Sequence, residues 1–303
     1  MDWTDKIRLR NLRMVLTLAE TGNMSHSATL LNTTQPGLSK ALKDLEDDVG
    51  LPLFERLARG LRPTPFGDTL IEHAQRIEAQ LDIARDELGA MRAGSRGLVV
   101  IGTSGAASAE TVPVAVLKLL ECMPKAQVKL VESTMDRLMT QLDRSELDIV
   151  VGRSAPELQS EQMRTESLYS EPIHFVARPN HPLLMLDQIE WRNLHDYRWV
   201  IWPRGTPIRH ALDTALVAAG CMAPTGSIES NSIILNLTLL NNSDTIAVAS
   251  HRTARRLEAM GALGIIPLQL AGFGSISMYW RDDALRRTAV KTMLECLRST
   301  SSV

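Results

Sequence analysis

Residues 34–43 contain hydrogen-bonding side chains at a spacing that would bring them together for binding. If this segment is helical, one side carries Thr34, Gln35, Ser39, Lys40 and Lys43, whereas leucines line the opposite side. Such polar groups are rarely placed in a protein core. They are donors and acceptors that can bind the base edges and phosphates of the DNA major groove. The pattern therefore predicts a DNA-contacting helix.

Two shorter helices are expected to precede and support this one. Apolar residues repeat at helical spacing from Leu9, and Gly22 indicates the end of that helix. Ser25 can cap the next helix, and Thr34 can cap the third. Pro36 is tolerated because the first turn of a helix does not use the missing N–H group. The polar helix is thus predicted to be the third of a three-helix head.

A β-hairpin is expected directly after these helices. Residues 51–64 contain two short extended pieces around Arg59-Gly60, and they carry Arg56, Arg59 and Arg62. Arginines on such a wing suit phosphate contacts or a narrow minor groove. Residues 1–66 hold nine Lys or Arg against eight Asp or Glu, so any attraction for DNA must come from local clustering. A solvated three-helix bundle with incidental charge would explain the helices alone, but not the wing and arginines beside them.

The same residues resemble, in one register, the winged helix-turn-helix of LysR-type transcriptional regulators. The matching pattern consists of Leu9-x-x-Leu12, Ala19-Glu20-x-Gly22, Ser25-x-x-Ala28, Gln35-Pro36-x-Leu38-Ser39, Leu45-Glu46, Gly50-x-x-Leu53-Phe54-x-Arg56 and Thr64-x-x-Gly67. In that family the Gln-Pro-x-Leu-Ser helix enters the major groove, which implies this role for Gln35, Pro36, Ser39 and Lys40. The family's wing arginine corresponds to Arg59.

One departure from the family pattern concerns base reading. Lys40 stands where arginine is frequent, and a lysine lacks the planar fork that binds guanine at two points. The predicted DNA-contacting residues are Ser25, Thr34, Gln35, Pro36, Ser39, Lys40, Lys43, Arg59, Arg62 and Thr64. The predicted partner is double-stranded DNA.

Residues 65–93 predict one long helix that connects the head to the rest of the chain. Small or apolar residues follow each other at alternating spacings of four and three, at Leu70, Ala74, Ile77, Leu81, Ala84, Leu88 and Met91. Such a stripe can lie on its own domain or pair with a second copy. Helix-turn-helix proteins read paired half-sites as dimers, and the resemblance implies pairing through this helix. We therefore expect a homodimer or homotetramer.

The remaining residues alternate predicted strands and helices. Strands at 98–102, 128–131 and 148–151, with helices at 112–123 and 135–144, predict a parallel sheet wound on both faces. A second α/β unit begins near Leu168, with strands at 173–177, 199–202 and 246–249. A strand at 275–280 and a helix at 283–297 are expected to return to the first unit. These two lobes are similar to the two-lobed effector domain of LysR-type proteins and to periplasmic binding proteins.

The predicted fold is therefore an N-terminal all-α winged helix-turn-helix followed by an α/β two-lobed effector domain that resembles periplasmic binding proteins. The expected division is 7–64 for the DNA-binding domain, 65–93 for the dimerisation helix and 97–303 for the effector-binding domain. Within the last domain, lobe I covers about 97–167 and 270–303, and lobe II covers about 168–269.

Polar loops at strand ends are the candidate effector contacts, because such loops and helix N-termini meet in the cleft of a two-lobed fold. An arginine among them could bind a carboxylate with its planar fork. The candidates are Thr103, Ser104, Ser133, Thr134, Trp202, Arg204, Gly205, Thr206, Arg209, Asn231 and Ser232. Residues 202–209 resemble the branch of galactose-binding-protein regulators and aromatic-acid pathway regulators. That likeness implies an aromatic acid or a sugar-derived acid without choosing between them.

Several other classes of function lack their sequence signals. None of the seven histidines belongs to an HExxH pattern, and there is no Gly-x-Ser-x-Gly or Walker loop, so we expect no enzyme and no catalytic residues. The three cysteines have no metal-ligand spacing, so we expect no metal and no cofactor. The alternative to a DNA-binding regulator is a thiol- or ligand-sensing binding protein without sequence-specific DNA activity.

The first residues lack an apolar run, and the apolar stretch 233–240 is too short to span a bilayer. We therefore expect a cytoplasmic protein with no membrane partner.

Overall fold

In the computed structural model, residues 3–57, 60–92, 94, 97–222, 226–268, 270 and 274–301 are described. The chain divides into two compact units. The first is Met1–Arg85 with Arg144–Glu146, and the second is Asp86–Asp143 with Leu147–Val303. Among the helices of the described ranges, none is both long enough and apolar enough to cross a membrane.

The first unit begins with three helices that share one core. They are α1 (Leu9–Thr21), α2 (Met24–Leu30) and α3 (Gln35–Val49). Val15 and Leu18 of α1 are fully buried against Leu42 and Leu45 of α3, as the sequence periodicity predicts. The predicted cap of α2 is wrong by two residues. Asn23, not Ser25, caps this helix, since its side chain accepts hydrogen bonds from the backbone N–H groups of Ser25 and His26.

A two-stranded hairpin follows, which confirms the predicted wing. Strands β1 (Phe54–Leu57) and β2 (Gly60–Pro63) pair antiparallel. Leu61 donates a backbone hydrogen bond to the carbonyl of Gly22 at the end of α1. A Cβ at Gly60 would lie 2.4 Å from that same carbonyl oxygen, so only glycine allows the hairpin to approach the helix so closely.

Helix α4 (Pro65–Arg92) is the predicted connecting helix. Its N-terminus is held by Thr64, whose hydroxyl accepts a hydrogen bond from the backbone N–H of Gly67. Along the predicted stripe, Ala74 is fully buried. The later positions Ile77, Leu81, Leu88 and Met91 are 42%, 40%, 67% and 66% exposed within this single chain.

The second unit contains two five-stranded sheets, one in each lobe. The lobe I sheet has the order β4-β3-β5-β12-β6, in which β12 is Gly274–Arg281. Its elements are β3 (Leu98–Thr103), α5 (Gly105–Ser108), α6 (Thr111–Cys122), β4 (Gln127–Glu132), α7 (Met135–Asp143), β5 (Ile149–Arg153) and β6 (Met163–Glu171). Strands β3, β4 and β5 are parallel, and buried apolar residues cover both faces of the sheet.

The lobe II sheet has the order β11-β7-β10-β8-β9. Its elements are β7 (Ile173–Ala177), α8 (Trp191–Leu194), β8 (Trp199–Ile201), α9 (Pro207–Ala218), β9 (Ile228–Glu229), α10 (Ile233–Asn241), β10 (Ile246–Ser250), α11 (His251–Ala259) and β11 (Gly264–Ile265). The chain then returns to lobe I as β12 (Gly274–Arg281) and α12 (Thr288–Ser301). Fully buried Phe175 and Trp199 lie at the centre of the lobe II core.

The effector domain differs from the sequence prediction in several details. Both sheets are mixed, because β12 pairs antiparallel with β5 and β6, and β7 pairs antiparallel with β10 and β11. Strand β6 was not predicted, since its residues are mostly polar and only half buried. The last helix begins at Thr288 rather than near Asp283, because Asp282–Arg286 forms a 3-10 turn.

Candidate DNA-binding surface and effector cleft

Helix α3 presents its polar side chains at the surface of the first unit. Gln35, Lys40 and Lys43 are exposed, Pro36 is exposed in the first turn, and Ser39 is half buried. Thr34 is the N-cap, as predicted, with its hydroxyl oxygen accepting a 3.2 Å hydrogen bond from the N–H of Gly37. The start of α3 thus combines a firm cap with an amide, a hydroxyl and two ammonium groups facing outward.

The wing is fastened to α3 by side chains from both elements. Arg56 Nη2 donates to Ser39 Oγ at 2.8 Å. Glu46 Oε1 accepts two backbone hydrogen bonds, from Leu53 at 2.8 Å and Phe54 at 3.0 Å, where the chain enters the hairpin. These bonds fix the position of the hairpin on the polar helix.

The other predicted DNA contacts have different surroundings. Arg62 is exposed and forms an ion pair with Glu55 across the hairpin. Thr64 also donates to the carbonyl of Pro52 at 2.6 Å, so its hydroxyl serves the local fold. Ser25 is exposed in the first turn of α2. Arg59 lies outside the described residues.

Gly105, at the start of α5, marks the point where side chains of the two lobes converge. A Cβ built there would lie 3.6 Å from Cη2 of Trp202, in lobe II. It would lie 3.8 Å from Oε1 of Glu132, at the end of β4. The loops after β3, β4 and β8 therefore meet around one residue, which is the convergence expected of a cleft between lobes.

The lobe I candidates lie where strands β3 and β4 end in this region. Thr103 is buried, and its carbonyl accepts a backbone hydrogen bond from Ser133 at 3.2 Å. Ser104 donates its backbone N–H to Val151, whereas Thr134 supplies a carbonyl to Leu138 in the first turn of α7. These bonds draw the ends of β3, β4 and β5 together, and leave Ser104, Ser133 and Thr134 partly exposed.

In the lobe II loop the two predicted arginines differ. Arg209 is buried; its Nε donates to Asp213 at 2.8 Å and its Nη1 donates to the carbonyl of Trp202 at 3.2 Å. Arg204 is exposed, next to Gly205, which has a φ of +80°. Arg209 therefore holds the loop, and Arg204 is the arginine of this loop that is open to a ligand.

Further contacts orient the rest of that loop. Trp202 Nε1 donates to the carbonyl of Val248 at 3.0 Å. Thr206 occupies the N-cap position of α9, but its hydroxyl donates to the carbonyl of Pro203 at 2.7 Å and makes no capping bond. Ser232 caps α10 through a 3.4 Å bond from the N–H of Leu235, and Asn231 beside it is exposed.

The sequence prediction missed a second group of polar residues where the strands cross between lobes. Arg153 is almost fully buried, and it donates to the carbonyl of Glu171 at 2.8 Å and to Ser250 Oγ at 3.2 Å. Burial lowers the pKa of Arg153 and raises the pKa of Glu171. Burial also raises the pKa of Tyr169 to about 12. The sequence contains one signal that could have identified this group. The run Ser250-His251-Arg252, where β10 ends, is polar like the loops that follow the other strands.

Two histidines lie in contact beside this group. His174 Nε2 and His251 Nδ1 are 2.8 Å apart. Burial is the main cause that lowers the pKa of each imidazole, and nearby positive charges lower it further, from His251 and Arg255 for His174 and from Arg255 and Arg252 for His251. His251 also donates its backbone N–H to the carbonyl of Pro172, in the crossing segment. The pair therefore suits one shared proton rather than two positive charges.

Among the described residues, no group of three or more His, Cys, Asp or Glu side chains could hold a metal ion. Cys122, Cys221 and Cys296 are free thiols, and burial raises the pKa of Cys296, which reduces its thiolate fraction.

Comparisons with known proteins identify the family of both domains. The family model of bacterial regulatory helix-turn-helix proteins of the lysR family matches residues 9–68, and that of the LysR substrate binding domain matches residues 92–302. The transcriptional regulator GbpR of Azospirillum brasilense is 30% identical over 98% of this chain and 87% of its own length. GalR of Pseudomonas putida is 33% identical over 95% of this chain and 73% of its own.

The fold also has solved counterparts. The crystal structure of full-length CbnR in complex with its target DNA superposes with a TM-score of 0.66 at 18% identity, covering 97% of this chain and all of that one. The curated relatives are transcriptional regulators rather than enzymes. The family matches together span most of the chain, and the chain belongs to the LysR family of DNA-binding transcriptional regulators with an effector-binding domain.

Proposed function

We propose that α3 and the wing bind double-stranded DNA, with Gln35 and Ser39 contacting base edges and Lys40, Lys43, Arg59 and Arg62 contacting phosphates. The observation that carries this proposal is the exposed Gln35, held at the start of a capped helix beside a wing bonded to Ser39. Helix N-termini at this position reach base edges in the major groove. In this proposal Ser25, Thr34, Pro36 and Thr64 position the contacting residues.

A small effector that bears a carboxylate is proposed to bind between the lobes. The convergence of Gly105, Trp202 and Glu132 supports this location, and exposed Arg204 supplies a guanidinium on the lobe II side. The neighbouring hydroxyls of Ser104, Ser133 and Thr134 and the amide of Asn231 can bind further polar groups. An aromatic acid and a sugar-derived acid both fit a tryptophan ring beside polar loops.

We further propose that α4 pairs two copies of the chain, as a homodimer or a dimer of dimers. The exposed leucines at positions 81 and 88 of α4 support this, since they continue the stripe that begins at Leu70 and includes buried Ala74. Paired heads can then bind two half-sites, which is the usual geometry of helix-turn-helix proteins. The proposed division into head, helix and effector domain remains 7–64, 65–93 and 97–303.

In this mechanism the effector acts through a difference in its affinity for two lobe arrangements. A ligand that binds one arrangement more tightly shifts the population toward it, and only that difference can alter DNA binding. The operator is to be found by selecting bound fragments from random duplex DNA. The substitution Gln35→Ala is then expected to cost roughly 1–3 kcal/mol on the selected site and to relax sequence choice. Equal losses on selected and random DNA would contradict base reading by Gln35.

A further inference from the structure

Arg252, the second residue of α11, reaches from lobe II to lobe I. Its guanidinium lies over the ring of Tyr169, 3.9 Å from the centroid. Its Nη1 lies 3.4 Å from Oε2 of Glu110, the residue before α6. The two partners differ in exposure, since the Arg252 side chain is 17% exposed and that of Glu110 is 48% exposed. This ion pair therefore joins a sheltered cation to a solvated carboxylate.

The position of Arg252 does not depend on Glu110. The backbone N–H of Arg252 donates to Glu171 Oε1 at 3.0 Å, and a guanidinium over an aromatic face is attracted to the ring. The Tyr169 hydroxyl is in turn hydrogen-bonded to Thr111. By contrast, the contact with Glu110 is long; the pair Arg178–Asp244 of lobe II is 2.8 Å apart. The guanidinium is thus prearranged, and its carboxylate partner is weakly held.

Arg252 belongs to the same region as the cleft. Helix α11 packs against α5, and α5 begins at Gly105, beside Trp202 and Glu132. The strand before α11 supplies the carbonyl of Val248 to Trp202. Glu110 lies two residues beyond the end of α5. Both partners of the ion pair thus lie on segments that border these loops.

We infer that Arg252 determines specificity for a carboxylate on the effector, and that Glu110 occupies the guanidinium until the ligand replaces it. This inference rests on the proposed function, in which a small carboxylate binds between the lobes. A half-exposed glutamate loses little when it turns to solvent, because exposed ion pairs contribute little stability. The incoming carboxylate can form shorter, charge-assisted bonds with the guanidinium fork. Binding then exchanges one contact between lobes for a contact with the ligand.

The experiment measures binding by calorimetry to the full chain, with benzoate and galactonate as probes and benzyl alcohol and galactose as their uncharged counterparts. Arg252→Gln is expected to weaken the carboxylate that binds about 10- to 100-fold, because it removes a charged hydrogen-bond donor. Glu110→Gln is expected to tighten the same carboxylate several-fold, because it removes the competing anion. Arg255→Gln is the control, since Arg255 is exposed and pairs with Glu258 on its own helix.

Arg252→Gln and Glu110→Gln are expected to change the affinity for a carboxylate in opposite directions. Neither is expected to change the affinity for an uncharged probe. If a carboxylate binds wild type and Arg252→Gln equally well, this inference is wrong and the proposed cleft stands. The same holds if Glu110→Gln weakens binding as much as Arg252→Gln does. If neither carboxylate probe binds the wild-type chain, whether or not an uncharged probe binds, both this inference and the proposed carboxylate class are wrong.

Discussion

Arg56 of the wing donates a 2.8 Å hydrogen bond to the hydroxyl of Ser39 on α3. A serine hydroxyl that accepts one bond retains its own hydrogen for a second partner. Ser39 can therefore hold the wing and contact DNA at the same time. The wing and the polar helix are joined through a residue that belongs to the proposed base-reading set, so we expect their positions on a duplex to be coupled.

This coupling predicts non-additive losses of DNA affinity. Ser39→Ala and Arg56→Ala are each expected to weaken binding to the selected operator. Because both remove the same bond, the double variant should lose roughly 0.5–1.5 kcal/mol less than the sum of the single losses. Titration of labelled duplex at fixed salt measures all three. Arg62→Ala combined with Ser39→Ala is the control; a strictly additive Ser39–Arg56 cycle would contradict the coupling.

The exposed stripe of α4 predicts a test of assembly. Leu88→Glu should shift the chain toward monomer. Because Leu88 is 67% exposed in the single chain, its replacement should change the stability of that chain little, but it should strongly destabilise the contact between paired helices. Analytical ultracentrifugation over a concentration series gives the dissociation constant. Gln80→Glu adds the same charge to an exposed position of α4 outside the stripe. Equal behaviour of the two variants would show that the stripe does not join subunits.

The two arginines of the lobe II loop predict opposite phenotypes. Arg209→Ala removes bonds to Asp213 and the Trp202 carbonyl, so it should lower the free energy of unfolding by about 1–3 kcal/mol. Arg204→Ala should change that free energy by less than about 0.5 kcal/mol, because Arg204 is exposed. It should weaken the response of DNA binding to effector while sparing DNA affinity. Urea unfolding and effector-dependent footprinting measure these properties; an unchanged response would remove Arg204 from the site.

The contact between His174 and His251 predicts a loss of stability in mild acid. Both folded pKa values are lowered below the ordinary 6.5, so the unfolded chain binds more protons once the pH falls below that value. Stability present above pH 6.5 is therefore lost as the pH falls through the folded pKa values. The raised pKa of Glu171 acts in the opposite direction, because there the folded state binds the extra proton.

The measurement is the melting temperature of the full chain between pH 7.5 and pH 5.5. The double variant His174→Gln, His251→Gln is expected to lose less on acidification than wild type. His210→Gln, at an exposed histidine of α9, is the control. Identical pH profiles for wild type and the double variant would exclude this pair as the source of acid sensitivity.

Gly274 predicts a steric effect at the crossing strands. A Cβ there would lie 2.1 Å from Nη1 of Arg153, so Gly274→Ala must displace the guanidinium from Glu171 and Ser250. We expect a loss of roughly 1–3 kcal/mol in unfolding free energy, as for other overpacked sites. Gly89→Ala in α4, where nothing lies within 4 Å of the new Cβ, should show no loss. Equal urea midpoints for both variants would contradict the contact.

The head could be predicted closely because its signals are local. Periodic leucines, a cap at Thr34 and a hairpin around Gly60 each act within a few residues, and the structure contains all three. The cap of α2 was misplaced because serine and asparagine are both good caps, and only the bonds to Asn23 distinguish them.

The effector domain was harder, because its pairings join distant residues. The polar strand β6 forms only because β12, more than a hundred residues later, supplies its partner. The role of Arg209 likewise depends on its hydrogen bonds to Asp213 and to the carbonyl of Trp202. The spacing of residues in the sequence does not reveal these bonds. The pair Arg252–Glu110 is separated by 142 residues and was not predicted.

The indole nitrogen of Trp202 is already bonded to the Val248 carbonyl, and the far edge of the ring, at Cη2, faces Gly105. Any molecule that enters beside Gly105 therefore meets carbon atoms of this side chain and finds no donor on it. In the proposed cleft, this side of the site would therefore discriminate ligands by their thickness and flatness, and hydrogen bonds to a ligand would come from the surrounding loops.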